Sequence, residues 1–299
     1  MRNKKIGIVL MTYGSANTSE HVEEYFKHIY KNPPSEVIAD FKHRYDLVGG
    51  SPLVRITKKQ ASLLEKKLGK KYVVQAGMRH SKPFIAEAVA ACKKAGAAEI
   101  LDIILSPHFS SYIMEGYKKD FVAAAQASDY ESARVALPWP TEKHFVELLA
   151  KRIQTKLKKY GLNTPVVFTT HSLPRRVVDA DPSYLKQLEK TIHAVRAKLP
   201  KIESYQGYQS AGHTPEEWLN PDLKDILAEL RKKGRSKVLI VPIQFLANHL
   251  EILYDLDIAA KEQCQEFGIS YHRIELPNTN PLFIKALASI QSEIPSSSN

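Results

Sequence analysis

The chain has 299 residues, 43% of them hydrophobic, which is enough for one large domain or two domains of ordinary size. Its formal net charge is +11, a balance that suits nucleic acid, a membrane surface or an anionic small molecule as partner. The only two cysteines, Cys92 and Cys264, exclude a disulfide scaffold, a four-cysteine zinc site and an all-cysteine iron–sulfur cluster.

Strand-like apolar runs alternate with segments of helical periodicity along the whole chain. The segment 141–160 shows the helical pattern clearly, because Phe145, Leu149 and Ile153 fall on one apolar stripe. Alternating strands and helices predict an α/β protein with a parallel sheet. In chain order we predict strand 5–11, helix 19–30, helix 55–69, strand 72–76, helix 83–95, strand 99–105, strand 134–137, helix 141–160, strand 165–170, helix 183–198, strand 203–208, helix 221–233, strand 237–243, helix 248–267, strand 270–274 and helix 281–293.

The chain also resembles itself. The strand and turn at 8–15 parallel those at 166–172, and the stretches 72–109 and 205–245 match in the same order. Short look-alikes arise in any α/β protein, but the ordered series favours a duplication. We therefore predict two similar doubly wound parallel-sheet α/β domains that face a central cleft, a place where binding sites are common.

The domain boundary is predicted at the Pro-Trp-Pro segment 138–140. The N-terminal α/β domain would then cover residues 1–140 and the C-terminal α/β domain residues 141–299. The last helix, 281–293, is expected to pack back on the first domain.

The distribution of charge and hydrophobicity bears on partners and localisation. Basic residues are mostly interleaved with acids on helical patterns, which is typical of solvated faces, and no basic tract with interleaved aromatics predicts nucleic-acid binding. The N-terminal apolar run 6–10 is too short for a signal peptide. No stretch reaches the ~18 apolar residues of a membrane span. We expect a cytoplasmic protein without membrane insertion.

Two polar segments follow predicted buried strands in the second half of the chain. Thr-Thr-His-Ser-Leu-Pro at 169–174 carries His171, and His-Leu-Glu at 249–251 carries Glu251. Because ligands bind at the carboxyl ends of parallel strands, an imidazole and a carboxylate there can share a divalent metal or transfer protons. The alternatives are a histidine that only caps its turn and an acid that only complements a helix dipole.

The type of ligand limits the type of metal. An imidazole with a carboxylate suits Fe²⁺, Zn²⁺ or Co²⁺ better than Mg²⁺ or Ca²⁺. Two protein ligands form an open site, which fits a metal that is handed over better than a permanent structural metal. Asp255 follows Glu251 by four residues and so shares its helix face, as a candidate proton or metal relay.

The first half of the chain contributes aromatic, hydroxyl and cationic side chains. Tyr13 lies at a strand end, and Arg44 and Tyr45 precede the Gly-Gly-Ser-Pro segment 49–52, which contains Ser51. The glycine pair permits close backbone approach to a ligand, although an ordinary turn would use it equally. Neither nucleotide fingerprint occurs, nor the GxSxG elbow, so nucleotide binding and hydrolase activity lack support.

Taken together, these segments resemble the ferrochelatase family, and the matching pieces extend in order over nearly the whole chain. The most specific are Thr-His-Ser-Leu-Pro at 170–174 and His-Leu-Glu-Ile-Leu-Tyr at 249–254 in combination. The others lie at 11–15, 44–53, 106–110, 208–222 and 248–255. The chain is similar to the compact form of Gram-positive bacteria, which acts on coproporphyrin III and lacks the cysteine-rich extension that carries an iron–sulfur cluster in some relatives.

The resemblance implies two chelatase-like domains and a lyase that inserts Fe²⁺ into a porphyrin in heme biosynthesis. It makes His171 and Glu251 the catalytic and metal-binding pair. It places six side chains around the macrocycle: Tyr13, Tyr30, Arg44, Tyr45, Ser51 and Tyr117. Iron is then a substrate, with no permanently bound cofactor and no iron–sulfur cluster. A monomer is expected, with other heme-pathway enzymes as further partners.

Three positions depart from the family pattern. Tyr30, followed by Lys31, stands where arginine is usual, and this bears on one propionate contact. Gln244 stands where glycine is common, and Ala259 replaces an acid further along the carboxylate row. The departures concern substrate grip and metal entry, and they leave the central pair intact.

Other functions are also compatible with parts of this sequence. Protoporphyrin IX is the alternative substrate. A non-catalytic tetrapyrrole carrier would keep the cleft without needing His171 and Glu251. A metal-binding regulator or a cobalt chelatase for a sirohydrochlorin-type ring is a further alternative, but cobalt chelatases of this fold tend to have more histidines at the metal site.

Overall fold

Two parallel sheets organise the computed structural model, which describes residues 5–212 and 215–293. Within these residues the strands are β1 (Lys5–Thr12), β2 (Tyr72–Met78), β3 (Ala97–Ile104), β4 (Ala133–Arg134), β5 (Val166–His171), β6 (Ser204–Gln209), β7 (Lys237–Pro242) and β8 (Ser270–Arg273). The first sheet has the order β2-β1-β3-β4 and the second β6-β5-β7-β8, with every pairing parallel. The same strand order thus recurs in each half.

The eight predicted strands are confirmed, with ends that shift by at most three residues. The inner strands β1 and β5 are buried along nearly their whole length, as parallel strands covered on both faces must be. The fold class predicted from the sequence is therefore correct, and the repeated strand order agrees with the internal repeat.

Eleven α-helices lie within the described ranges. They are α1 (Val22–Lys27), α2 (Ser35–Val48), α3 (Leu53–Leu68), α4 (Ile85–Lys94), α5 (Ser111–Ala127), α6 (Lys143–Tyr160), α7 (Arg175–Ala180), α8 (Ser183–Arg196), α9 (Leu223–Lys232), α10 (Lys261–Glu266) and α11 (Pro281–Glu293). Sequence reasoning did not predict α2, α5 and α7. In α5 the signal was present, because Met114, Tyr117 and Phe121 recur at helical spacing and are buried.

One predicted helix differs in kind. The segment expected to form an α-helix over 248–267 is a π-helix at Glu251–Ala260, followed by α10. The sequence predicted a helix here but not its type, because π-helical i→i+5 hydrogen bonds are rare and were not expected. Such segments occur frequently at functional sites.

The two sheets are connected by packed helices. The predicted apolar stripe of α6 is buried, and α6 packs against α8 and α11. Helix α11 also contacts α3, which belongs to the first half of the chain. The exact division at residue 140 stays a prediction. No helix in the described part of the chain is long and apolar enough to cross a membrane.

A buried histidine links the two halves. His108, in the loop after β3, is fully buried, and its Nε2 lies 2.8 Å from Thr191 Oγ1 on α8. The Thr191 hydroxyl donates to the Pro140 carbonyl oxygen at 2.7 Å, so it accepts from the His108 Nε2–H. Burial lowers the pKa of His108 to about 3, and the ring stays neutral at ordinary pH.

This histidine makes the fold sensitive to acid. An unfolded histidine, with its pKa near ~6.5, takes up a proton that folded His108 refuses. Stability is therefore complete above that pH and falls as the pH drops toward the folded pKa of about 3, by ~1.4 kcal/mol per pH unit at most. We expect His108→Gln to flatten this dependence in urea unfolding series from pH 7 to 4.5. The exposed His193→Gln is the control, and a His108→Gln curve parallel to the wild type would contradict the assignment.

Candidate active site

The site lies at the carboxyl edge of the second sheet. Strand β5 ends at His171, and the chain after β7 runs through a short loop to Glu251, the first residue of the π-helix. His171 Nε2 lies 3.6 Å from Glu251 Oε2, with both side chains partly exposed. The structure thus brings together the two residues that sequence reasoning paired.

The hydrogen bonds of His171 fix its tautomer. Its Nδ1 lies 2.5 Å from the carbonyl oxygen of Ser172, which can only accept, so Nδ1 carries the proton in the neutral ring. The Nε2 lone pair is then free and directed toward Glu251. A neutral imidazole in this state can accept a proton or bind a metal at Nε2.

A second histidine, not assigned to the site from the sequence, faces the same carboxylate. His249 Nδ1 lies 3.0 Å from the Ala247 carbonyl oxygen, and its Nε2 lies 3.8 Å from Glu251 Oε2. Both separations from Glu251 exceed hydrogen-bond length, and Oε2 is a solvent-inaccessible atom without a hydrogen-bond partner among the described residues. One carboxylate oxygen without a hydrogen-bond partner among the described residues therefore lies between two imidazole nitrogens. The His-Leu-Glu segment was the available signal.

The electrostatics of this group favour an ionised carboxylate. Burial would raise the pKa of Glu251, but the neighbouring His171 and His249 outweigh it and lower the pKa to about 2. Burial would likewise lower the pKa of His249, yet Glu251 raises it above its ordinary value. Near neutral pH the site therefore offers a negative charge beside two imidazole rings.

Asp255 lies further along the π-helix, and its pKa is raised, whereas that of Glu251 is lowered. Burial, followed by the charge of Glu251, raises its pKa to about 6. Ser210 donates a hydrogen bond to Asp255 Oδ2, and Arg44 Nη1 lies 3.9 Å from Oδ1. A carboxyl group with this pKa can hold or release a proton near neutral pH, as the predicted relay role requires.

Tyr13 faces the site from the first half of the chain. It follows the carboxyl end of β1, its ring is 42% exposed, and it packs on His80 with 4.4 Å between ring centroids. Desolvation, followed by Tyr30, raises its pKa to about 12, and the charge of Glu251 contributes in the same direction. That Tyr13 faces a bound ring stays a prediction.

The other residues expected around the macrocycle have different surroundings. Tyr30 is 50% exposed and stacks on Phe26, whereas Tyr45, Ser51 and Tyr117 are buried. The Ser51 hydroxyl is buried without a hydrogen-bond partner among the described residues. Their contact with a ring stays a prediction.

Arg44 is already engaged within the protein. Its guanidinium lies 2.8 Å from Asp40 and stacks over Tyr254 at 4.8 Å, in addition to its approach to Asp255. Helix α2 is thereby tied to the π-helix across the cleft. A propionate at Arg44 would share the guanidinium with these partners.

Arg79 is a cation of the cleft wall that sequence reasoning missed. Its Nε lies 3.1 Å from Asp120, its guanidinium lies 5.8 Å from the ring centre of Tyr117, and its charge acts on Tyr13. A Cβ at Gly116 would collide with the Arg79 guanidinium in this position, so the side chain uses the space that Gly116 leaves. No motif in the sequence marks this packing.

Comparison of folds identifies the class. The structure of SirB from Bacillus subtilis with Fe³⁺ matches with a TM-score of 0.63 at 14% identity, covering 97% of this chain and 95% of that one. At this identity the likeness shows the fold. The structure of the sirohydrochlorin chelatase SirB from Bacillus subtilis subspecies spizizenii also matches, with a TM-score of 0.60, and the chain therefore has the fold of a chelatase.

Sequence comparison identifies the family. The ferrochelatase family model matches residues 5–293. Coproporphyrin III ferrochelatase from a Geobacillus species is 35% identical over 303 residues, covering 97% of this chain and 98% of the relative. The enzyme of the same name from Halalkalibacterium halodurans is 36% identical over 302 residues, covering 97% of each. The chain belongs to the ferrochelatase family, whose members are lyases that insert a metal into a porphyrin, and the predicted enzyme class is confirmed.

Proposed function

We propose that this enzyme inserts Fe²⁺ into coproporphyrin III, with His171 and Glu251 as the central pair. The observation that carries the proposal is the 3.6 Å approach of His171 Nε2 to Glu251 Oε2 at the mouth of the second sheet. The relatives named above support the choice of substrate, because each is a coproporphyrin III ferrochelatase. The alternatives of a carrier and of protoporphyrin IX gain no support from them.

The reaction exchanges one Fe²⁺ for two pyrrole protons. Two barriers oppose it: water must leave the metal, and the nitrogen lone pairs of a flat ring point inward. A cleft that grips the ring edges can hold the ring buckled, at ~1–5 kcal/mol of strain supplied by peripheral binding. Tyr13 and Tyr30 are partly exposed aromatic residues of the first half of the chain, and they suit such binding.

His171 and Glu251 divide the central chemistry. The free Nε2 lone pair of His171 accepts a pyrrole proton or coordinates the incoming iron. Glu251, ionised because its pKa is lowered to about 2, offsets the charge of the metal or of the protonated imidazole. Asp255, with its pKa raised to about 6, takes protons outward. The pair is assigned to the iron because His171 Nε2 and Glu251 Oε2 approach each other at the carboxyl edge of the second sheet.

The charge of the chain favours a polyanionic ring. Coproporphyrin III carries four propionates where protoporphyrin IX carries two, and Lys31 and Arg55 are exposed cations near the segments that the resemblance places around the ring. Charge-assisted hydrogen bonds to carboxylates are stronger than neutral ones, and arginine forms them in pairs. Additional propionates should therefore gain affinity, and the gain should shrink as salt screens the charges.

The proposal is tested with purified protein, Fe²⁺ under anaerobic conditions and each porphyrin in turn, followed by absorbance. We expect a higher kcat/KM for coproporphyrin III than for protoporphyrin IX. Equal or higher efficiency with protoporphyrin IX would reject the substrate and keep the chelatase assignment. Tight porphyrin binding without turnover would indicate a carrier.

Tyr30 gives a prediction about grip. Since Tyr30 is half exposed at the position where the family usually has arginine, Tyr30→Arg adds a carboxylate-binding group at the cleft. We expect this variant to lower the KM for coproporphyrin III by about threefold to tenfold, the equivalent of one charge-assisted hydrogen bond at a partly exposed site, and to change that for protoporphyrin IX less.

A charge-matched variant is the control. Leu162→Arg adds the same charge at a 61% exposed side chain, before the amino end of β5 and so at the edge of the sheet opposite the cleft. It should leave both KM values unchanged. An equal fall in KM with both variants would show that only net charge matters.

A further inference from the structure

Gln244 bonds to the backbone of His171 at the point where strand pairing ends. The β5–β7 ladder stops at the pair Thr169 and Pro242, and the Ile243 N–H still donates to the Thr169 carbonyl at 3.0 Å. Beyond this point β7 no longer supplies a backbone acceptor for the N–H of His171. The side-chain Oε1 of Gln244 accepts that N–H at 2.9 Å instead.

A buried tyrosine completes the arrangement. The Tyr184 hydroxyl lies 3.0 Å from Gln244 Oε1 and 3.1 Å from the His171 carbonyl oxygen. Tyr184 is 1% exposed and Gln244 is 8% exposed, so water has little access to compete for these bonds. The N–H of His171 is therefore bound by Gln244, and the single hydroxyl proton of Tyr184 goes either to Gln244 Oε1 or to the His171 carbonyl oxygen.

Gln244 also stands on the segment that delivers the rest of the site. The same loop continues through Phe245, whose ring centre lies 6.4 Å from that of His171 and 5.0 Å from that of His249, and ends at Glu251. A bond from this loop to the His171 backbone thus connects the strand that carries the imidazole to the loop that carries the carboxylate.

We propose that Gln244 is a positioning residue that sets the location of His171 relative to Glu251, an inference that rests on the proposed role of this pair. The side chain replaces the missing strand partner. Small displacements of a reacting group cost far more in rate than in binding, so the effect of Gln244 falls on kcat and leaves porphyrin affinity unchanged.

The experiment compares two glutamines with the same kind of bond. Gln187 Oε1 also accepts a backbone N–H at 2.9 Å, from Phe109, away from the pair. Gln244→Met and Gln187→Met each remove one such acceptor, and methionine nearly keeps the volume, so that a water molecule does not take the place of the amide. Tyr184→Phe, which removes the second contact to His171, serves as an independent variant should Gln244→Met fold poorly.

Three quantities are measured on each variant: kcat, the porphyrin Kd, and the ¹⁵N signals of His171 in histidine-labelled protein. These signals are assigned by their absence in His171→Gln. We expect Gln244→Met to move the His171 signals and to lower kcat by about tenfold or more at unchanged porphyrin Kd. Gln187→Met can lower Tm, but it should change neither the His171 signals nor kcat.

The outcomes separate the inference from the proposed function. His171 signals that coincide with those of the wild type in both Gln244→Met and Tyr184→Phe overturn the positioning role. If the wild type is active, a kcat of Gln244→Met no lower than that of Gln187→Met also overturns the positioning role. A wild type without iron insertion refutes the proposed function, and the His171 signals then decide the positioning role alone.

Discussion

His171→Ala is expected to abolish iron insertion while leaving porphyrin binding largely intact. The variant removes the Nε2 lone pair that faces Glu251, and with it the group that accepts a pyrrole proton or receives the metal. Loss of a positioned general base costs ~10²–10⁴-fold in rate. Ring affinity comes from the wider cleft and should change by less than about threefold, since alanine removes a single contact. Turnover is measured by absorbance and porphyrin binding by fluorescence quenching.

An exposed histidine supplies the control for this variant. His193→Ala on α8 removes an imidazole from the surface and should keep full activity. Near-normal turnover of His171→Ala would refute the assigned role. Loss of porphyrin affinity in parallel with turnover would show instead that His171 only shapes the cleft.

Glu251→Gln is expected to keep the fold and lose at least ~10²-fold in iron insertion, the scale of a lost charged group at a reacting centre. The amide is nearly isosteric, but it cannot accept a proton and is a poor ligand for Fe²⁺. It also leaves His171 and His249 without their counter-charge, so the pKa that Glu251 raises in His249 should fall. Thermal melting at pH 7 should fall slightly, because the variant lacks the contribution of the ionised carboxylate, which solvent screening limits at a side chain that is 39% exposed.

The pH dependence of stability gives a second readout on this variant. A carboxylate with its pKa lowered to about 2 in the folded state stabilises the protein fully above the unfolded value near ~4.3, and that contribution is lost as the pH falls toward 2. The wild type should therefore lose more stability than Glu251→Gln between pH 5 and pH 3, apart from what other groups contribute equally to both. The exposed Glu262→Gln on α10 is the matched control. Unchanged iron insertion by Glu251→Gln at saturating iron would show that Glu251 is only an acid that complements the helix dipole.

The elements of the fold were accessible to sequence reasoning where one physical signal dominated. Buried parallel strands are continuous apolar runs, and β1, β3, β5 and β7 carry that signal, whereas β4, β6 and β8 are less buried and carry it weakly. Helix α2 was not predicted, because Tyr45 is its only fully buried residue and its apolar stripe is correspondingly weak. The π-helix at Glu251–Ala260 was predicted as a helix, but its i→i+5 hydrogen-bond pattern is rare and was not expected from the sequence.

Some features of the candidate site could likewise be predicted from the sequence, and others could not. His171 and Glu251 could be paired from the sequence because the carboxyl ends of neighbouring parallel strands meet at one edge. The facing of His249 toward Glu251 and the bond from Gln244 to His171 depend on rotamers and on where the β5–β7 ladder stops. These are properties of three-dimensional packing, and no spacing along the chain encodes them.

The central claim is that the His171–Glu251 pair catalyses metal insertion, and one measurement tests it most directly. Wild type and the double variant His171→Ala/Glu251→Gln are each mixed anaerobically with Fe²⁺ and an excess of coproporphyrin III, and the porphyrin absorbance is followed over time. The account predicts that the wild type converts many equivalents of porphyrin while the double variant binds the ring and converts it no faster than a protein-free sample. Conversion by the double variant at the wild-type rate, or by the wild type at the protein-free rate, would contradict it.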